Sequence, residues 1–118
     1  MNEKEVKVFF CVSKLHLWNS FDIAKETGLT IEEVDTILRG FQKQKVLQRR
    51  RVGYRVKYWR IQITPEGLQL AKELFGTSLK TCPLCGGNLS TYSVHLAGRE
   101  IPRVKCERCG RRWYYESH

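Results

Sequence analysis

Residues 46–63, VLQRRRVGYRVKYWRIQI, hold Arg49, Arg50, Arg51, Arg55, Lys57 and Arg60 without one acidic residue, interleaved with Tyr54, Tyr58 and Trp59. Gly53-Tyr54-Arg55 is a turn signal between two runs rich in β-branched and aromatic residues, which predicts two antiparallel strands joined by a short loop. An isolated hairpin is marginal in water, so the flanking segments must give it a surface to pack on.

Upstream, the pattern is helical. Asn2 caps a first helix with Glu5 in the capping-box position, and Val6, Phe9, Phe10, Val12 and Leu17 form a broad apolar stripe that predicts a helix ending near Trp18. Cys11 lies within it and reads as a small buried apolar residue. Asn19-Ser20 breaks the pattern and caps a second helix over 21–27, closed by Gly28. Thr30 caps a third, with Glu33 returning to the cap and Ile31, Val34, Ile37, Leu38 and Phe41 on one face. Two short helices across Gly28-Leu29-Thr30 make a helix-turn-helix whose second member is the expected recognition helix. Downstream of the hairpin, Thr64 and Pro65 start a closing helix that packs through Leu68, Leu70, Ala71 and Leu74 and stops at Gly76.

The run FDIAKETGLTIEEVDTILRGFQKQKVLQRR resembles the winged helix-turn-helix of MarR- and PadR-type transcriptional regulators, with Ile23, Ala24, Gly28, Leu29, Val34, Leu38 and Leu47 at framework positions. The resemblance covers about residues 3–75 and implies that the basic hairpin is the wing and that TPEG opens the closing helix. It also implies double-stranded DNA as the partner, with Thr36, Arg39, Gln42 and Lys43 outward on the recognition helix and Arg49, Arg50, Arg51, Arg55, Lys57 and Arg60 on the wing. Glu32, Glu33 and Asp35 near the start of that helix suit its dipole but repel phosphate, which shifts the expected binding energy onto the wing.

The last third carries four of the five cysteines as C-x2-C-x20-C-x2-C: Cys82, Cys85, Cys106 and Cys109. Two Cys-x-x-Cys turns in an intracellular chain point to metal or redox chemistry rather than to structural disulfides, and four thiolates satisfy tetrahedral zinc with no position left for a catalytic water. Iron has the same ligand set, and a redox pair would want a βαβ unit, which the pattern lacks. The segment resembles a rubredoxin-type zinc ribbon, which implies one structural Zn2+ per chain, strands over 90–96 and 101–105 around a turn at Ala97-Gly98-Arg99, and a last strand at Trp113, Tyr114 and Tyr115. His95 and His118 read as surface residues rather than as substitute ligands.

The expected architecture is therefore α+β: a winged helix-turn-helix domain over 1–76, a polar linker over 77–81, and a small zinc ribbon over 82–118. The net charge of +9, from 21 Lys and Arg against 12 Asp and Glu, favours an anionic partner. The excess is spread over both halves, with Lys105, Arg108, Arg111 and Arg112 available to extend a DNA contact from the ribbon. No apolar run spans a membrane, and MNEKEVK lacks the apolar core of a secretion signal, so the expected setting is the cytoplasm, on the nucleoid. No Ser/His/Asp constellation, phosphate-cradling loop or carboxylate pair suggests an enzyme. Further expected partners are RNA polymerase or another transcription protein and a second copy of the chain in a homodimer. The rival readings are a TFIIE-type initiation factor, which the combination of winged helix and zinc ribbon also resembles, and an RNA-binding accessory protein.

Overall fold

The computed structural model describes the chain except Lys57, Thr77, Ser78 and residues 116–118, with Tyr58 described by its backbone alone. The order is α1 (Glu3–Ser13), α2 (Ser20–Thr27), α3 (Ile31–Lys43), β1 (Leu47–Val52), β2 (Tyr58–Ile63), α4 (Pro65–Phe75), β3 (Leu89–Leu96), β4 (Arg99–Cys106) and β5 (Arg112–Tyr114). The chain is α+β, with four helices and two antiparallel sheets among the described residues, β1-β2 and β3-β4-β5. No helix there is long and apolar enough to cross a membrane.

The helix starts follow from local chemistry. Asn2 and Thr30 form capping boxes with Glu5 and Glu33, Asn19 accepts the Asp22 N–H, and Thr64 accepts the Gly67 N–H ahead of Pro65. Gly28 closes α2 at φ +75°, the left-handed conformation glycine adopts at low cost.

One helix end differs from expectation. α1 stops at Ser13 rather than near Trp18, because His16 takes φ +56° and the Trp18 carbonyl accepts the Ile61 N–H at 2.9 Å. Residues 14–18 thus leave the helix and reach the β2 edge of the hairpin. The apolar residues that prolonged the helical stripe, Leu15 and Leu17, pack against the core from an irregular turn instead.

The core is organised along α1. Val8 through Ser13 are all buried, which an amphipathic surface helix cannot do. Phe9 meets Phe41 of α3 edge-on at 5.5 Å and Phe75 of α4 at 6.0 Å; Phe10 meets Phe75 at 5.2 Å and Trp113 of β5 at 4.8 Å, both edge-on. One apolar cluster therefore runs from α3 to the cysteine-bearing sheet. Polar contacts bind the same seam. The buried Lys14 Nζ donates to the Tyr114 and Tyr115 carbonyls at 3.1 and 2.8 Å, and Arg111 Nε donates to Glu26 on α2 at 2.9 Å. Of the expected linker 77–81, residues 79–81 are described. Leu79 packs on the core with its N–H on the Gly76 carbonyl, and Thr81 bridges Asn88.

Gly67 marks a close approach of α4 to the base of the hairpin. A Cβ there would lie 2.0 Å from the Val46 carbonyl oxygen and 2.6 Å from Ile63 Cγ1, whereas a Cβ at Gly40 on α3 meets nothing within 4 Å. Gly67→Ala should cost about 1–3 kcal/mol and lower the melting temperature. Gly40→Ala should be neutral or stabilising by about 0.5–1 kcal/mol. Thermal denaturation of both variants checks the pair; equal melting temperatures would contradict the close approach of α4 to the base of the hairpin.

Candidate metal centre and basic hairpin

The two Cys-x-x-Cys turns bring Cys82, Cys85, Cys106 and Cys109 together, their Sγ atoms all within 4.8 Å of one another. Cys82 and Cys109 stand 3.9 Å apart, Cys85 and Cys106 3.3 Å. A tetrahedral ion with metal–sulfur bonds near 2.3 Å needs sulfurs about 3.8 Å apart, so the four donors fit one metal ion. The turns are set by Gly86 and Gly110, at φ +74° and +76°. They direct the Gly87 N–H to Cys85 Sγ (3.4 Å) and the Cys109 N–H to Cys106 Sγ (3.5 Å). Arg108 ties the knuckles by donating to the Cys85 carbonyl at 3.0 Å. At Gly87 a Cβ would lie 3.0 Å from Cys106 Sγ and 2.5 Å from Arg108 Cβ, so a bare backbone is needed where the knuckles close.

The thiols are unequal without an ion. Burial pushes Cys82 up to about 12. Burial acts the same way on Cys106, but the Cys109 N–H and the Cys85 side chain outweigh it and bring Cys106 down to about 6. Loading a metal must therefore release protons. Cys11 stands apart: it is fully buried in α1 and is raised to about 12, first by burial and then by Glu26, with Arg111 opposing. His95 is exposed and pairs with Glu100 at 3.4 Å, not with the cysteines. His118 lies outside the described residues.

Strand register divides the basic hairpin in two. Opposite residues share a face, so Arg49, Arg51, Ile61 and Trp59 lie on one side and Gln48, Arg50, Arg60 and Gln62 on the other. The first side adjoins α3, and Arg39, Gln42, Arg49 and Trp59 line one cleft of about 270 Å3. Arg49 is held there between Asp35 of α3 (3.5 Å) and the Trp59 ring (5.7 Å), so it fastens the hairpin to the helix. Arg51 is exposed beside Trp59, and Arg55 is exposed at the tip near Tyr54 and Val56, also open to solvent. On the other side, Arg50 and Arg60 face each other across the strands and border a separate cleft of about 500 Å3 with His16 and Trp18. Lys57 lies outside the described residues.

On α3, Arg39, Gln42 and Lys43 are exposed, while the exposed Thr36 turns its hydroxyl to the Glu32 carbonyl at 2.9 Å. The three carboxylates at its start are not equivalent. Glu33 is occupied by its capping box and by Lys4 at 2.7 Å, and Asp35 by Ser20 and Arg49; among the described residues Glu32 alone of the three has no ion pair. Two of the four basic residues expected to extend a contact from the cysteine segment are engaged internally: Arg108 at Cys85, and Arg111 at Glu26. Sequence reading missed this use of Arg111, whose partner is 85 residues away.

A single metal ion per chain should appear in the native mass spectrum. Cys106→Ser should abolish it and lower the melting temperature, whereas Cys11→Ala should leave the stoichiometry unchanged. Retention of the ion by Cys106→Ser would contradict the four-sulfur site.

None of the three comparisons with known proteins, against family models, curated proteins and solved structures, finds a match to this chain.

Proposed function

We propose that the chain is a non-enzymatic DNA-binding regulator of transcription, in which α1 to α4 with the first hairpin form a winged helix-turn-helix and the cysteine segment is a zinc ribbon. The observation that carries this reading is the cleft where Arg39 and Gln42 of α3 meet Arg49 and Trp59 of the hairpin, because it joins a helix able to read base edges to a basic strand pair. α3 supplies Arg39 for guanine and Gln42 for adenine, and Arg51 and Arg55 reach the phosphates or the minor groove. Pairing of Glu33 with Lys4 and of Asp35 with Arg49 supports close approach of the helix start to phosphate, since it offsets two of the three carboxylates there. Zinc is supported as the ion by the all-thiolate donor set, which is closed and suited to a structural role.

Duplex affinity measured by fluorescence anisotropy should fall with salt at a log-log slope of about −5 if roughly six phosphates are neutralised. Arg51→Ala with Arg55→Ala should weaken binding more than Arg39→Ala with Gln42→Ala, and the second pair should change the major-groove base preferences among the sequences recovered from a random DNA pool. Absence of duplex binding at low salt would overturn the proposal.

A further inference from the structure

The three-stranded sheet has a second basic surface. Its register places Tyr92, Arg103 and Tyr114 in one row across the strands, Ser90, Lys105 and Arg112 in the next, then Val94 with Ile101, and Leu96 with Arg99 at the outer end. Opposite residues share a face, so these side chains lie on one side. The reverse side holds Val104, Cys106 and Trp113, buried toward Phe10 of α1, which turns the first side outward. The guanidinium of Arg103 stacks 4.7 Å from the Tyr114 centroid, and that of Arg112 lies 5.9 Å from Tyr92. Among the described residues, no ion pair engages Arg99, Arg103, Lys105 or Arg112, and the buried Arg103 Nε and Tyr92 Oη have no hydrogen-bond partner. Glu100 belongs to the reverse side, with His95; Glu107 sits past the metal end of β4 and accepts the Ser90 hydroxyl.

We infer that this sheet face binds single-stranded nucleic acid, a surface distinct from the α3 cleft and independent of the duplex reading. Arg99, Arg103, Lys105 and Arg112 supply the attraction for a phosphodiester backbone, and the tyrosine rings and guanidinium planes supply stacking platforms for unpaired bases. An acidic peptide would meet the charges but gain nothing from those planes. A duplex hides its base faces in its own stack. The apolar row of Val94 and Ile101 extends the platform toward the hairpin tip.

The test is anisotropy of a short labelled oligothymidine with the metal-loaded full chain, using a duplex of equal length and a polyglutamate peptide as competitors. Tyr92→Leu, and separately Arg103→Gln with Arg112→Gln, should each weaken oligothymidine binding by about tenfold. Arg51→Ala with Arg55→Ala should leave it unchanged. Native mass and near-ultraviolet circular dichroism establish that each variant keeps its ion and fold. If Tyr92→Leu does not, the exposed pair Arg99→Ala with Arg112→Ala carries the test, with weakening again expected. Unchanged affinity in the folded sheet variants, or competition by polyglutamate or duplex equal to that by unlabelled oligothymidine, would overturn the inference.

Discussion

Helix α1 has no free side beyond its first turn and a half, and the remainder of the chain is arranged to cover it. Phe9 faces α3 and α4; Phe10 faces α4 and β5. Full burial of two phenylalanines contributes roughly 3–6 kcal/mol in transfer free energy, comparable with the whole net stability of a chain this size. That gain exists only while coverage comes from both directions. Lys14 then ends the helix inside the seam, its ammonium satisfied by carbonyls that belong to the end of β5. The cysteine-bearing sheet and the helical unit are thus neighbours through one shared helix, not only through the intervening chain.

This sharing has a chemical consequence. Arg111 stands two residues beyond Cys109, and its guanidinium bonds to Glu26 on the helix that precedes α3. A four-sulfur cluster held by an ion fixes the backbone through Cys109 and therefore the position of Arg111 and Trp113. Small sheets bury too little surface to hold such geometry alone. An ion bound by the four sulfurs would thus be tied to the presentation of the helices on the opposite side of α1.

Much of this was legible where the signal was local. Capping residues act over three positions, so Asn2, Asn19, Thr30 and Thr64 announced their helices, and the two Cys-x-x-Cys turns announced a common site because tetrahedral sulfur chemistry dictates their form. The hairpin itself was legible, but its division was not: which arginines share a face depends on the pairing of Leu47 with Ile63, and one step of register would exchange Arg49 and Arg51 for Arg50. The end of α1 was also hidden, because the apolar spacing continues to Leu17 while the backbone is captured by Ile61. Contacts about 100 residues apart, such as Lys14 with Tyr114, leave no mark in a local window. The basic face of the second sheet was concealed for the same reason, since Tyr92, Arg103 and Tyr114 become one row only after three strands align.

Helix α1 is a common core element for both halves of the chain. Chelator titration of the metal-loaded protein, followed by helical circular dichroism and by tryptophan fluorescence during thermal melting, tests it most directly. A shared α1 should give one coincident transition in both signals, moved to lower temperature as the ion is withdrawn. A helical transition that keeps its midpoint after complete removal of the metal, separate from the fluorescence change, would contradict it.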